Sequence, residues 1–248
     1  VSAVGELSVN EWNGLAKPQL SLCDVAVSSC QVFDVRGCRD VHPLIERMPK
    51  EKRLLVLFRR ETENQLNLTA FRDELHYVAS DEEAGALAID GRYVVLLDLP
   101  PKLRRLAALL GNGQPERIYA VFAQPEAQFF RTFPTRDHFK WFYAFLHKYR
   151  SFPLAERGGQ LARARGWTEE TVHFMAKVFL ELEFIREQDG VISLVHAPEK
   201  RDLHESPTYR RRRDELEVEQ QLLYSTYEQL KRCLAEMTRS QTYEEANV

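Results

Sequence analysis

The side chains that could bind catalytic metal ions are scattered along this sequence. A hydrolytic site of two divalent ions needs several carboxylates and imidazoles that converge on ions about 3.5–4 Å apart. The seven histidines do not cluster, and neither an Asp-x-Asp pair nor an Asp-His-His triplet occurs. They are His42, His76, His138, His147, His173, His196 and His204. The sequence therefore predicts no catalytic residue, no metal ligand and no bound cofactor in this chain.

The four cysteines also lack the spacing of a metal site. Cys23, Cys30, Cys38 and Cys233 form no Cys-x-x-Cys pair, and no histidine stands at zinc-finger spacing from them. A structural zinc site needs four converging ligands. We therefore expect free thiols in a reducing compartment, and hence a cytoplasmic protein.

Glycine-rich loops that hold nucleotide phosphates are absent from the sequence. No Gly-x-Gly-x-x-Gly follows a predicted strand, and no Walker-type Gly-Lys-Ser/Thr loop occurs. Asp98 follows a predicted strand, at the place where open α/β sheets bind ligands. A capped turn before Pro100 and Pro101 explains this aspartate equally well, and we favour a structural role for it.

Composition and charge indicate an ordinary globular protein. The 248 residues are 44% hydrophobic and 29% charged, with a net charge of −3. At roughly 100–150 residues per domain, this length predicts two domains. No apolar run approaches the roughly 20 residues that a membrane-spanning helix needs, so we expect no membrane partner. The isoelectric point of about 6.2 argues against a uniformly basic nucleic-acid binder but allows a local basic patch.

The first half of the chain predicts a mixed α/β fold. Residues 1–29 alternate with period two on both sides of a segment with turn residues, 10–14 (NEWNG), which predicts a hairpin. Since such a hairpin is unstable alone, it must complete a sheet formed upstream of Val1 or pack on the next domain. Residues 30–133 contain apolar strands at 54–58, 93–97 and 118–122, separated by helices. This alternation predicts a small parallel α/β sheet domain.

The second half predicts a winged-helix-like unit and a C-terminal helix. In residues 134–197, three helices precede a hairpin that turns at Asp189-Gly190. The first of these helices, at 138–149, carries an aromatic stripe that we interpret as core. Residues 198–248 contain a polar connector and then a long helix from about Asp214 to Met237.

Several segments, in this order, resemble the C-terminal region of bacterial RecJ-type single-strand-specific exonucleases. Residues 4–14, followed by Gln19 and Asp24, are similar to the end of the oligonucleotide-binding (OB) domain in that family. Four later segments resemble the extra C-terminal domain of its Firmicutes members. They are residues 93–101 (YVVLLDLPP), 179–190 (FLELEFIREQDG), 205–209 (ESPTY) and 222–231 (LLYSTYEQLK).

The resemblance implies a non-catalytic accessory part of a 5′-3′ exonuclease that acts in DNA repair and recombination. It places the hairpin in an OB-type barrel and the metal-dependent core, with Mn or Mg, upstream of Val1. We expect this chain alone to be inactive and to serve partner docking or substrate handling. The implied partners are the RecJ catalytic core, the acidic tail of single-stranded DNA-binding protein and single-stranded DNA. A DNA-binding winged-helix protein and a purely structural cap are the alternatives.

Nine side chains are candidates for binding nucleic acid or a partner. They are Trp12, Lys17, Arg157, Arg163, Arg165, Arg210, Arg211, Arg212 and Arg213. Trp12 could stack a base and Lys17 could contact a phosphate, although packing of Trp12 on the α/β domain is the interpretation we favour. The four consecutive arginines oppose the helix dipole, which suggests either phosphates or an acidic partner as their ligand, or simply a solvated helix start.

The third helix of the winged-helix-like unit is a poor candidate for reading DNA bases. It carries Glu169, Glu170 and Glu181, which would repel phosphates. We expect this helix to pack or to dock protein. The arginines at 157, 163 and 165 precede it and could contact a nucleic-acid backbone.

Overall fold

A computed structural model describes residues 2–26, 30–123 and 133–239. These residues form two compact units. The first unit comprises the described residues up to 100, residues 104–123 and those from 221 onward. The second comprises residues 101–103 and the described residues between 124 and 220. The predicted mixed α/β class, with a parallel sheet and helices, is confirmed.

An antiparallel hairpin begins the chain. Strands β1 (Ser2–Trp12) and β2 (Leu15–Ala26) are joined by Asn13 and Gly14, which both have positive φ values of 51° and 76°. This backbone geometry matches the right-handed twist of the two strands, which is why Asn-Gly is a strong hairpin signal. Large apolar side chains stay exposed along both strands. They are Val4, Leu7, Val9, Trp12, Leu15, Leu20, Leu22 and Val25.

A five-stranded parallel sheet forms the centre of the first unit. Its strands are β3 (Gln31–Asp34), β4 (Arg53–Leu57), β5 (Leu75–Tyr77), β6 (Tyr93–Asp98) and β7 (Arg117–Ala123). Their order is β3-β7-β6-β4-β5. Every residue of β6 is buried, as expected of an apolar strand that is covered on both faces. The chain leaves β4 toward β5, while β6 lies on the other side of β4, so the strand order reverses between β4 and β6.

Short helices connect these strands. They are α1 (His42–Glu46), α2 (Glu61–Gln65), a 3-10 helix (Leu68–Glu74), α3 (Asp81–Ala86) and α4 (Leu103–Leu110). Ser80 and Glu83 form a capping box that begins α3. Ile45 of α1 and Phe71 of the 3-10 helix pack on Leu55, Val95 and other apolar residues of one sheet face. Burial of these side chains removes apolar surface from water and holds the helices on the sheet.

The second unit combines helices with a small antiparallel sheet. In chain order it contains α5 (Arg136–Tyr149), β8 (Ser151–Pro153), α6 (Leu154–Arg165), α7 (Glu169–Glu181), β9 (Ile185–Gln188), β10 (Val191–Leu194), a 3-10 helix (Leu203–Glu205) and α8 (Pro207–Val218). The strand order is β8-β10-β9. The core is aromatic, with Phe142 of α5 stacked on Phe179 of α7 at 5.7 Å between ring centroids.

The prediction of a single C-terminal helix is wrong, because two separate helices occupy this part of the chain. Helix α8 continues into a π-helical turn (Glu219–Leu223), and a separate helix α9 (Tyr227–Arg239) follows. Arg36 donates hydrogen bonds to the carbonyl oxygens of Leu222 and Ser225, at 2.8 and 2.9 Å, and so stabilises non-helical backbone there. Thr226 and Gln229 exchange side-chain-to-backbone hydrogen bonds, which form a new helix cap.

Candidate binding surfaces of the second unit

Helix α5 positions three sets of side chains on three of its faces. A capping box of Thr135 and His138 begins the helix. Residues three and four apart share a face of a helix. One face, with Phe139, Phe142 and Leu146, is buried in the core. We call the second set, Arg136, Lys140 and Tyr143, the pocket flank. We call the third set, Trp141, Phe145 and Tyr149, the aromatic flank.

The pocket flank borders an apolar pocket of about 240 Å³. Aromatic and aliphatic side chains from α5, α7 and the following loops form its walls. They are Phe139, Tyr143, Phe179, Phe184 and Leu203. The exposed side chains of Arg136 and Lys140 complete the lining. The Lys140 ammonium lies 3.0 Å from Asp137, and both side chains of this ion pair are more than two-thirds exposed. Such an exposed pair contributes little stability, so Lys140 can exchange this carboxylate for that of a ligand.

The aromatic flank is a row of rings in mutual contact. The Trp141 and Phe145 rings are stacked with centroids 5.4 Å apart, and Phe145 and Tyr149 lie 4.8 Å apart. The Arg165 guanidinium lies 4.3 Å from the Trp141 ring centroid and 5.4 Å from that of Trp167. A guanidinium over an aromatic face is attracted by the ring quadrupole, which favours this arrangement. The stripe interpreted as core from the sequence is thus fully buried on one face, whereas Trp141 and Phe145 are only partly buried against the same core.

The arginines of α6 are all exposed, but they differ in their surroundings. Arg165, in the last turn, contacts Trp141 of the aromatic flank and also Trp167, whereas Arg157 lies near the start of the helix. Arg163 shares the last turn with Arg165. The structure therefore brings Arg165 together with aromatic side chains, a combination that the sequence positions did not reveal.

The four consecutive arginines of α8 do not form one cationic cluster. Arg210 donates to the carbonyl oxygen of His204 at 2.8 Å, and Arg213 contacts the His204 ring. Arg212 is only 13% exposed and pairs with Glu215 and Glu219 at 3.1 and 2.9 Å. Arg211 is exposed. Three of the four side chains thus have intramolecular partners. These contacts compensate for the unfavourable interaction of positive charge with the N-terminal end of the helix dipole.

Trp12 and Lys17 lie on the exposed hairpin. Trp12 pairs with Leu15 beside the turn and is 77% exposed, and Lys17 lies opposite Asn10. Packing of Trp12 on the α/β domain, the interpretation favoured from the sequence, is not what the structure shows. Both side chains are accessible to a ligand or to further protein segments.

Asp98 lies at the reversal point between β4 and β6 and has internal partners. Its carboxylate accepts hydrogen bonds from the backbone N–H groups of Phe58 and Arg59 and from the Thr62 hydroxyl, at 2.8–2.9 Å. Burial raises the pKa of Asp98 to about 6, although these three hydrogen bonds act in the opposite direction. The carboxylate occupies the place where open α/β sheets bind anionic ligands, so the structure supports the structural role.

The described residues contain neither a cluster of metal ligands nor a helix that could span a membrane. Within ranges 2–26, 30–123 and 133–239, no three His, Cys, Asp or Glu side chains are grouped closely enough to hold a metal ion. In the same ranges, no helix has the length and apolar character to cross a bilayer.

The pocket beside α5 could not be predicted from the sequence. Its walls come from Phe139 on α5, Phe179 on α7 and Leu203 on a 3-10 helix, and this convergence depends on tertiary packing. The aromatic flank did have a sequence signal. Trp141, Phe145 and Tyr149 recur every four residues, offset from the core positions, and this offset could have separated the two faces.

Comparison with known proteins gives one family and one close relative. The family model described as "Single-strand DNA-specific exonuclease, C terminal domain" matches residues 31–234. The chain is 44% identical over 246 residues to the single-stranded-DNA-specific exonuclease RecJ of Bacillus subtilis (strain 168). This match covers 98% of the chain and 31% of the relative, so the chain spans about a third of the length of that curated relative. No solved structure matches the chain.

Proposed function

Because the chain belongs to the family of C-terminal domains of single-strand-DNA-specific exonucleases, we propose that it is the accessory region of a RecJ-type nuclease and docks an acidic peptide. The whole protein would degrade single-stranded DNA from the 5′ end during repair and recombination. Its Mn- or Mg-dependent catalytic core would lie outside this chain, and the chain alone would be inactive. Free thiols at the four cysteines are compatible with a cytoplasmic location.

The observation that carries the docking proposal is the pocket beside Arg136 and Lys140. An apolar pocket lined by cations suits a peptide that ends in apolar residues and carries carboxylates before them. The apolar end would enter the pocket that Phe179 and Phe184 help to line, and the carboxylates would accept charge-assisted hydrogen bonds from the cations. The acidic tail of single-stranded DNA-binding protein has this chemistry, and we propose it as the partner.

A peptide titration tests this proposal. A labelled acidic peptide with an apolar C-terminus would be added to the chain at moderate salt, and fluorescence anisotropy would give its Kd. We expect the double variant Arg136→Glu, Lys140→Glu to weaken binding by at least about tenfold, since two attractive contacts become repulsive. The matched control, Lys177→Glu, reverses a charge on α7 instead. No binding by the natural chain, or equal binding by the double variant, would refute peptide docking.

The finer fold assignments also belong to this proposal. The order α5-β8-α6-α7-β9-β10, with sheet order β8-β10-β9, supports a winged-helix-like unit over residues 134–197. The exposed apolar side chains of residues 2–25 support an OB-domain end that pairs with further strands of the nuclease core. Residues 30–133 would be the parallel α/β domain, and residues 198–248 the connector and C-terminal helices.

Two alternatives are less well supported. A winged-helix protein that reads bases would need a cationic third helix, but α7 presents Glu169 and Glu170 in its first turn. Glu181, at its end, accepts hydrogen bonds from the Thr208 backbone and from the Ser206 hydroxyl. A purely structural cap would bind neither peptide nor DNA, so the titration above separates it from the docking module.

A further inference from the structure

The rings of the aromatic flank form a regular and accessible series. Trp141, Phe145 and Tyr149 are four residues apart, and a rise of 1.5 Å per residue spaces their Cα atoms by about 6 Å along α5. Phe152 packs edge-on against Phe145 at 5.1 Å and restrains its ring. Tyr149, at the end of the row, is 55% exposed, and Trp141 and Phe145 are partly exposed. The row thus offers π surface on a rigid helix.

Positive charge surrounds this row. The Arg165 guanidinium lies over Trp141, and the Lys148 ammonium lies 5.4 Å from the Tyr149 ring centroid. Without the pocket-flank residues Arg136 and Lys140, and without Asp137, which pairs with Lys140, helices α5 and α6 carry four Lys and Arg residues and one carboxylate. That carboxylate is Glu156, in the first turn of α6. The positive charge of this region suits phosphates.

Aromatic rings beside cations match the chemistry of single-stranded nucleic acid. Every base has a π face, and stacking on an aromatic side chain contributes without regard to sequence. A double helix hides its base faces in its own stack, so a row of rings gains nothing from a duplex. Lys and Arg near the rings can contact the phosphates between the stacked bases, and this contribution weakens with added salt.

We infer that the aromatic flank of α5, together with Arg165 and Lys148, is a binding surface for single-stranded DNA. This inference rests on the proposed function for the identity of its ligand, and it assigns that ligand to a surface separate from the peptide pocket. A base stacks on the exposed ring of Tyr149, and neighbouring bases contact the partly exposed rings of Phe145 and Trp141. Arg165 and Lys148 contact the backbone phosphates at the two ends of the row.

A fluorescence titration reports on this surface directly. The chain has three tryptophans, and in a Trp12→Phe background the remaining two are Trp141 of the aromatic flank and Trp167, whose ring contacts Trp141 edge-on at 5.2 Å. Unlabelled oligothymidylate of 20 nucleotides would be added at low salt, and then at increasing salt. We expect the tryptophan fluorescence to be quenched on binding, with a log Kd that depends linearly on log salt. A duplex of equal length should bind more weakly.

Two variants test the stacking and the charge contributions separately. We expect Tyr149→Ala to weaken oligothymidylate binding by about tenfold, since stacking of one base is lost, and Tyr149→Phe to restore it. Arg165→Glu should weaken binding at least as much and reduce the salt dependence. Tyr224→Ala, at a tyrosine that is 59% exposed, and Lys177→Glu, at an exposed lysine of α7, are controls and should change Kd by less than twofold. Circular dichroism verifies that each variant is folded.

The outcomes for DNA and for the peptide are independent. Unchanged tryptophan fluorescence with the oligonucleotide, or equal affinity in Tyr149→Ala and Arg165→Glu, would overturn the inference even if the acidic peptide binds its pocket. Conversely, loss of peptide docking with intact oligonucleotide binding would refute only the peptide proposal. Equal affinity for duplex and single strand would also contradict the inference, because stacking requires unpaired bases.

Discussion

The two flanks of α5 carry similar residue types in different arrangements. On the pocket flank, Arg136 and Lys140 lie beside a concave, apolar space of about 240 Å³. On the aromatic flank, rings form a row along the helix, with Arg165 over one end. A concave pocket encloses an apolar side chain, whereas a row of rings stacks flat groups in series. The arrangement of cations and aromatic rings, rather than their number, therefore determines which ligand they can bind.

We expect the strongest effect from a substitution in the buried face of α5, which supports both the pocket flank and the aromatic flank. Phe142 is fully buried and lies on the α5 face between the two flanks. We expect Phe142→Ala to lower the free energy of unfolding by about 3–5 kcal/mol, because a large ring is lost and a cavity remains. Urea denaturation followed by circular dichroism measures this change. Phe145→Ala, on the aromatic flank, is the matched comparison and should destabilise less, since its ring is already partly exposed. Equal destabilisation would show that the aromatic flank is core.

We expect a smaller effect on stability from Asp98, which is buried in the first unit. The folded-state pKa of Asp98 is about 6, above its ordinary value of 3.8. Between pH 3.8 and pH 6, folding is therefore accompanied by protonation of Asp98. The contribution of this carboxyl group to the free energy of unfolding grows as the pH falls through 6. We expect the stability of the natural chain, relative to Asp98→Asn, to rise by about 1 kcal/mol from pH 7 to pH 5. Urea denaturation at both pH values measures the difference.

The Asp98→Asn variant also tests whether the two binding surfaces of α5 are independent of the first unit. Asp98 belongs to the first unit, while both proposed binding surfaces belong to the second. Asp98→Asn should therefore leave the Kd values for the acidic peptide and for oligothymidylate within twofold of the natural ones. A pH-independent stability difference would show that the Asp98 carboxyl is not buried at a raised pKa, and a change in either Kd would show that the surfaces are not confined to the second unit.

Strong local signals allowed much of the fold to be predicted from the sequence. The apolar runs at β4, β6 and β7 predicted a parallel sheet, and Asn13-Gly14 marked the turn of the hairpin. Strands β5 and β8 were missed because three residues are too few for a periodic pattern. The break before α9 was missed because leucines keep helical spacing through it, although Thr226 and Gln229 signalled a new helix start.

The candidate surfaces could be predicted only in part. The charge of Arg165 was visible in the sequence, but its position over Trp141 depends on how α6 packs on α5. The arginine run at 210–213 was interpreted as one cationic cluster because its members are adjacent in the sequence. On a helix, successive residues point 100° apart, and here Arg210 and Arg212 point to different intramolecular partners.

The most direct test of the central claim is a competition experiment with both ligands. The chain would be saturated with the unlabelled acidic peptide, and labelled oligothymidylate of 20 nucleotides would then be titrated at constant salt. We expect the Kd for the oligonucleotide to stay within twofold of its value without peptide, because the two ligands occupy opposite flanks of α5. Displacement of the oligonucleotide in proportion to peptide occupancy would contradict this expectation, since one shared site would then bind both.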